Sequence, residues 1–512
     1  MKKYYYPEAV RNADRIAVEK LKYDSFFLME SAGRNAGSVI LTRYPDLNNF
    51  CILCGPGNNA GDGFILADFL LRHNKNVFII TSVKEDQYKN DALKAVAELK
   101  SNPDIDKCRI IYFNDTECER IASALKTCDM VIDALLGTGA SGAPRGNVKN
   151  MLQLISRVNG KIKVALDMPT GINIFNGSLY EEYFKADITI SFLAVKSGMS
   201  FYPASEVCGE IITVSIGVPL EAVLSEATED SISLYTRDDI EDLLPVFDKN
   251  IHKGTRGSVL IYGGSFRYRG APLLSALGAL RSGCGVVYLA IPDFMVPAAS
   301  VFIPEAVFIP LKTENNVVCA ESIRGELSDV LTHVTSVVFG PGVGRDENVP
   351  EILKWIYETY KGPMVIDADA LYFMSGENFK LRNNTVVTPH AGEAGRLLGK
   401  TAPDITSDRL GAVNKLSELY GVALLKGKDT LIKSGKVLRV IGEGSPVLAV
   451  PGSGDVLSGI IGALSGIKDN FFDAVTLAAL LHATAGSELA VSKGVNGTLA
   501  REIADEIRNL IR

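Results

Sequence analysis

The sequence predicts two α/β domains, each a three-layer sandwich of helices on a largely parallel sheet. Three observations predict this. Short apolar runs alternate with amphipathic stretches in both halves, the pattern of βα units. The pattern breaks once near the middle and then restarts. Many predicted strands end in loops of glycine, serine, asparagine and aspartate, and the carboxyl ends of parallel strands are where such sheets bind ligands.

In the first half, strands are expected at 51–53, 77–81, 109–113, 130–132, 162–166, 188–192 and 211–215, with helices over 62–72, 92–100 and 148–158. After Gly217-Val218-Pro219 the chain turns acidic over 221–230 and carries no strand signal. A linker is therefore expected at 219–238, dividing the chain into domains 1–218 and 239–512. The second half restarts with strands at 258–262, 286–291, 336–339, 364–366, 385–387, 422–425, 430–433 and 437–441. Its last third reads as helix over 455–464, 474–490 and 499–510.

Composition narrows the function. At 512 residues and 47% hydrophobic, the chain can bury more than one core. A net charge of −7 without a basic block argues against nucleic acid as a partner. The start, Met1-Lys2-Lys3-Tyr4-Tyr5-Tyr6-Pro7-Glu8, lacks the apolar core of a signal peptide, and no apolar run reaches the ~18 residues of a membrane span. A cytoplasmic protein with no membrane partner is expected, assembling as a homo-oligomer. The 8 cysteines show no framework. Cys51 and Cys54 form a CxxC inside an apolar strand and read as core, while His73 and His333 read as structural.

The most informative run is Pro451-Gly452-Ser453-Gly454-Asp455-Val456-Leu457, small residues leading into an apolar helix. Such a helix N-terminus holds an anion through its free N–H groups and its dipole. Asp455 is out of place beside a phosphate unless it takes a proton from a hydroxyl that attacks phosphorus. The alternative is a capping role, common for Asp. A second phosphate-type loop, Lys426-Gly427-Lys428-Asp429-Thr430, favours the catalytic reading. Other strand ends in this half carry Gly263-Gly264-Ser265, Gly340-Pro341-Gly342-Val343-Gly344, Asp367-Ala368-Asp369 and Thr388-Pro389-His390-Ala391-Gly392-Glu393. Gly270-Ala271-Pro272 opens a helix. Lys253 and Arg256 are candidates for extra positive charge, and Glu393 for the water shell of a magnesium ion.

In the first half, Gly55-Pro56-Gly57-Asn58-Asn59-Ala60-Gly61-Asp62-Gly63 follows the first strand. Asp133-Ala134-Leu135-Leu136-Gly137-Thr138-Gly139 follows the fourth, Asp167-Met168-Pro169-Thr170-Gly171 the fifth, and Lys196-Ser197-Gly198 lies beyond the sixth. Gly55-x-Gly57-x-x-Ala60 matches the loose dinucleotide fingerprint, but the acidic residue expected after the second strand is missing. Asn58, Asn59, Asp133 and Thr170 offer hard oxygens for a monovalent cation or a ribose-phosphate network. Turn-forming Asx residues would explain one such loop, not four in succession.

Leu28-Met29-Glu30-Ser31-Ala32-Gly33, the 58–63 loop, Asp133–Gly137 and Leu166–Gly171 together resemble the epimerase half of the bifunctional NAD(P)H-hydrate repair enzymes, over roughly the first 218 residues. The resemblance implies a Rossmann-like fold and a potassium ion at Asn59, Asp133 and Thr170. It also implies hydrate binding by Asn58, Asn59, Ala60, Gly61, Asp62, Gly137, Thr138, Gly139 and Asp167, with Lys196 at the family's lysine. Ala60 stands where a glycine is usual, which a negative φ would tolerate. Thr170 stands for a serine and keeps the hydroxyl. Residues 239–512 resemble the ribokinase-like fold, and more closely the nucleotide-dependent NAD(P)HX dehydratases. This implies nucleotide binding by Lys426, Gly427, Lys428, Asp429, Thr430, Gly452, Ser453 and Gly454. Ala271, Gly342, Gly344, His390 and Asp455 would contact the hydrated dinucleotide. ADP or ATP is the implied co-substrate, with Mg2+, and Asp455, Asp167 and Lys196 are the implied catalytic residues. Two other readings remain open. One is a ribokinase-type small-molecule kinase fused to a dinucleotide domain; the other makes the first half a non-catalytic binding module.

Overall fold

Apolar strands that must bury both faces impose the architecture. The computed structural model describes residues 2–114, 117–224, 231–246, 256–375 and 381–511. They divide into two units, Lys3–Ile232 and Ser233–Arg512.

The first unit is built on a 7-stranded sheet in the order Cys108–Tyr112, Asn76–Thr81, Asn49–Cys54, Met130–Ala134, Ile162–Leu166, Ile188–Phe192, Glu210–Val214. Every pairing in it is parallel. Alternation along Asn49–Cys54 explains the three layers. Phe50, Ile52 and Cys54 face one apolar cluster with the helices Ser25–Arg43 and Asn58–Arg72, while Cys51 and Leu53 face the other with Gly146–Ser156. The cysteine pair is thus core. The chain moves outward for two strands and then returns beside its starting strand, so the order reverses between Asn49–Cys54 and Met130–Ala134. The helix expected from residue 62 begins at Asn58, capped by Gly57. Asn and Gly are poor interior helix residues but are accepted in a first turn, which hid the true start.

The second unit repeats the reversal. Its sheet runs Val307–Leu311, Val286–Pro292, Ser258–Tyr262, Ser336–Phe339, Met364–Ile366, Thr385–Val387, Val422–Leu425, then Thr430–Ser434 and Val437–Ile441. Pairing is parallel as far as Val422–Leu425 and antiparallel beyond. Helices Ala271–Arg281 and Ser453–Ser465 cross in near contact. A Cβ on Gly459 would fall 1.8 Å from the Ser275 carbonyl, and one on Gly278 2.4 Å from that of Val456. The helix Phe471–Lys493 has the length and hydropathy of a membrane span, contrary to expectation, but 78% of its apolar window is buried within the unit. It is the core helix against which the Ser453 helix packs.

The stretch expected to be a linker holds more structure than its acidity suggests, with a helix at Leu220–Leu224 and a strand at Ser231–Tyr235. Residues 225–230, and the 252–254 segment containing Lys253, lie outside the described residues.

Candidate active sites

In the first unit the loops that meet at the reversal form one polar cluster. Gly55 follows one strand and lies so close to the loop after the other that a Cβ would fall 1.7 Å from the Leu135 carbonyl. Lys196 is fully buried and its Nζ donates to Asp167 Oδ1, to Ser191 Oγ at 3.1 Å and to the Phe192 carbonyl at 3.0 Å. The second oxygen of Asp167 accepts the Thr138 N–H at 2.8 Å and hydroxyl at 2.6 Å. Burial alone would raise the Asp167 pKa, but Lys196 and Thr138 outweigh it and hold it below the usual carboxylate range. Asp167 also occupies the left-handed region at φ 68°, a conformation costly for a non-glycine residue and typical of functional sites.

Two neighbouring carboxyls move the other way. Asp62 is driven well above the usual range by burial, with Asp167 and Asp14 adding to the shift. Asp14, on the helix Pro7–Glu19, stays open to solvent on one side, yet enclosure and the Asp167 charge push it to about 6. Arg11, one turn earlier, donates to the Thr138 carbonyl at 3.1 Å. This helix is not among the predicted elements, although it starts at Pro7 with Glu8 in its first turn and buries Ala9, Val10, Ala13 and Ala17 on one face, with Arg11 and Asp14 outside it.

Asp133 is fully buried and accepts the Leu135 N–H at 3.0 Å, the Thr170 N–H at 2.7 Å and the Thr170 hydroxyl at 2.9 Å. Burial pushes it to about 6 against those hydrogen bonds. Asn59 donates to the Leu166 carbonyl at 3.3 Å, and its own buried Oδ1 has no hydrogen-bond partner. An orphaned amide oxygen, a carboxylate and a hydroxyl form a hard, low-charge donor set that suits a monovalent cation. Ala60 is helical with no positive φ, so the glycine-to-alanine departure carries no strain. Gly137 packs against Asp167 and Asn59, while Gly139 faces open space. The Leu28–Gly33 motif is packing: Gly61 presses on Met29, and Gly33 on Ile65.

In the second unit a cavity of about 840 Å³ is lined by Asp367, His390, Glu393, the 426–430 loop, Gly452–Asp455 and His482. Gly452 sits in the left-handed region at φ 89°, against Leu274, so no other residue fits without strain. It caps the helix Ser453–Ser465. The Ser453 N–H goes to the Val450 carbonyl at 3.2 Å, which leaves those of Gly454 and Asp455 as the first open donors. Asp455 makes no capping hydrogen bond. Burial raises its carboxyl to about 7, with Asp367 adding to the shift and Lys426 opposing it. Lys426 Nζ lies 3.0 Å from Asp367 Oδ1 and 3.7 Å from Glu393 Oε2, and a Cβ on Gly454 would be 3.2 Å from it. Burial would lower the Lys426 pKa, but the two carboxylates more than offset this and raise it. Asp367 is held low by Lys426 and by Ser458, which donates at 2.7 Å, despite its burial.

Two residues around this cavity, Arg409 and His482, have no clear sequence signal. Arg409 is buried and spans the carbonyls of Leu425, Lys426 and Asp429, fixing the phosphate-type loop from behind. Its burial lowers the guanidinium pKa to about 10. His482, on the core helix, places Nε2 3.0 Å from both the Ser453 carbonyl and the Ser453 hydroxyl. A carbonyl only accepts, so Nε2 carries the hydrogen and the Ser453 hydroxyl keeps its own proton for the cavity. Burial lowers His482 to about 4, so it stays neutral. His390 Nδ1 accepts the Gly392 and Glu393 N–H groups at 3.0 and 3.3 Å, and its Nε2 lies 3.5 Å from Glu393 Oε1. Glu393 Oε2 in turn accepts the His390 N–H at 2.8 Å. Ala271 adjoins Gly342, 3.0 Å from where a Cβ would stand. The Gly344 N–H is held by Asp369 at 3.1 Å. Arg256 precedes its strand and so lies at the edge opposite these loops.

Comparison with known proteins follows the same division. The NAD(P)H-hydrate dehydratase family matches residues 259–509, and the family described as YjeF-related protein N-terminus matches residues 25–198. The bifunctional NAD(P)H-hydrate repair enzyme Nnr of Thermanaerovibrio acidaminovorans is 35% identical over 509 residues, covering 98% of this chain and 97% of that one. The enzyme of the same name from Coxiella burnetii is 32% identical over 513 residues, covering 99% of each. Among solved structures, the ADP/ATP-dependent NAD(P)H-hydrate dehydratase of Bacillus subtilis, co-crystallised with ATP and Mg2+, aligns at 24% identity and a TM-score of 0.48, covering 55% of this chain and 97% of that one. Full-length matches that span both sites show that the chain belongs to the family of bifunctional NAD(P)H-hydrate repair enzymes.

Proposed function

We infer that the chain repairs hydrated NADH and NADPH, interconverting their R and S hydrates in the first unit and dehydrating the S form in the second. ADP or ATP is consumed in the second step, giving AMP or ADP and phosphate. The observation that carries this reading is Asp455: a carboxyl at about 7, beside Lys426, in the first turn of a helix whose open N–H groups face a large cavity.

The hydrate carries a hydroxyl on the ring carbon beside nitrogen, and hydroxide leaves poorly. Asp455 takes the hydroxyl proton as the oxygen attacks the terminal phosphorus, a role worth about 10²–10⁴-fold. The Gly454 and Asp455 N–H groups, the Ser453 hydroxyl and Lys426 stabilise the charge on the transferring phosphoryl. The ring nitrogen's lone pair then expels phosphate, and loss of a ring proton restores the dihydronicotinamide. Magnesium, when bound, neutralises phosphate charge; Glu393, at the cavity edge, is suited to its water shell.

In the first unit the same lone pair expels the hydroxyl as water once an acid protonates it. Water returns to the opposite face as a base removes its proton. The Asp167–Lys196 pair holds an acid and a base side by side, and the raised carboxyls of Asp14 and Asp62 lie in the same field. Potassium, when bound, supplies fixed positive charge; Asn59, Asp133 and Thr170 would hold it. We place the protein in a reducing, cytoplasmic setting, in keeping with the free cysteines among the described residues.

The test is incubation with chemically hydrated NADH or NADPH and each nucleotide, following recovery of dihydronicotinamide absorbance. Recovery of both epimers, with one phosphate released per turnover, is expected. A lasting phosphorylated alcohol would favour a small-molecule kinase instead.

A further inference from the structure

Outside the cavity, one cluster of cations stands without carboxylate partners. Arg345 directly follows Gly344 and lies 4.4 Å from the Tyr372 ring centroid. Arg396, on the helix capped by His390, lies 5.2 Å from the same centroid. Among the described residues neither guanidinium makes a salt bridge or a side-chain hydrogen bond. Most other arginines of this unit are tied to carboxylates or carbonyls, as Arg237 is to Glu488, Arg281 to Asp505 and Arg439 to Asp473. Tyr372 is 39% exposed and belongs to the short helix Asp369–Phe373. The first residue of that helix, Asp369, holds the Gly344 N–H.

The cluster therefore joins three segments that also frame the dinucleotide side of the site: the Gly340–Gly344 loop, the turn after Asp367 and the helix behind His390. We propose that Arg345, Tyr372 and Arg396 form a phosphate subsite for the hydrated dinucleotide. Guanidinium groups are preorganised for bidentate phosphate contacts, and the ring holds both in place while they wait for an anion. The anion is a phosphate ester of the substrate: either the pyrophosphate, common to both hydrates, or the 2′-phosphate, present only on hydrated NADPH. The inference rests on the dehydratase reading of this unit.

The experiment compares the full chain with R345Q, R396Q and Y372A, measuring dehydration of the S hydrates of NADH and NADPH. Each arginine variant is expected to raise KM about tenfold, with kcat and the KM for ADP within twofold of the parent. A rise with both hydrates assigns the pyrophosphate, and a rise confined to hydrated NADPH assigns the 2′-phosphate. The parent KM should also rise with salt, and less steeply in the double variant R345Q/R396Q. Unchanged KM for both hydrates in that double variant overturns the subsite. Failure of the parent to dehydrate either hydrate would instead refute the functional reading.

Discussion

Both units reverse strand order at the same point in their sheets, yet they use that point differently. In the first, the loops on either side of the reversal form the candidate site, a compact cluster with Lys196 fully buried against Asp167. In the second, the corresponding loops, Gly263–Gly264 and Gly340–Gly344, are one flank of a wider edge. The cavity lies farther along, under Lys426 and the Ser453 helix. An isomerisation takes one substrate, and a compact cluster can serve it. A phosphoryl transfer takes two substrates, and the longer edge has room for both.

The largest expected effect tests whether the chemistry divides as the two units do. Asp455→Asn should lower dehydration by about 10²–10⁴-fold while nucleotide affinity and epimerisation hold within twofold. Dehydration within tenfold of the parent would reduce Asp455 to a packing residue. Lys196→Met should do the reverse. It leaves Asp167 buried and unpaired, costing the first unit about 3–5 kcal/mol and abolishing epimerisation. Dehydration of pure S hydrate should persist. Calorimetry showing an unshifted first-unit transition would contradict the buried ion pair.

Much of this division was legible in the sequence. The predicted strands and the small-residue loops at their ends needed only short continuous apolar runs, buried on both faces, and glycine-rich turns. What escaped reading depends on distant packing. Arg409 and His482 look like ordinary helix residues until their partners, 16 to 29 positions away, are brought beside them. Strand Val307–Leu311 contains Pro310, which masked it; as the edge of its sheet it can tolerate the missing N–H. Ser231–Tyr235 was hidden by the acidic residues that precede it. Arg11 and Asp14 sit on the exposed face of an ordinary amphipathic helix, where two polar residues carry no signal of their own.

Smaller effects sharpen the contrast. Asp133→Ala should slow epimerisation at least tenfold and remove its dependence on potassium, leaving dehydration intact. Parent-rate epimerisation by this variant in potassium-free buffer would make Asp133 a turn residue. Dehydration should also respond to pH through Asp455. A base raised to about 7 is ionised only above that value, so kcat/KM should fall about tenfold per unit below pH 7 and level off above it. A flat profile between pH 5.5 and 8 would remove Asp455 as the base. His482→Ala should cost about fivefold in kcat with nucleotide KM little changed, since one orienting hydrogen bond is worth about 1 kcal/mol. Partial rescue by His482→Gln, which restores a donor, would separate orientation of Ser453 from simple packing.

The enclosure of Lys196 also makes the first unit its own reporter of opening. An amine with no exposed surface cannot meet an acylating reagent until the surrounding shell parts, whereas the exposed lysines react at once. Its labelling rate, read by peptide mass, therefore counts the openings of that shell directly. Bound hydrate should suppress those openings, which makes the same residue a ligand sensor that needs no turnover.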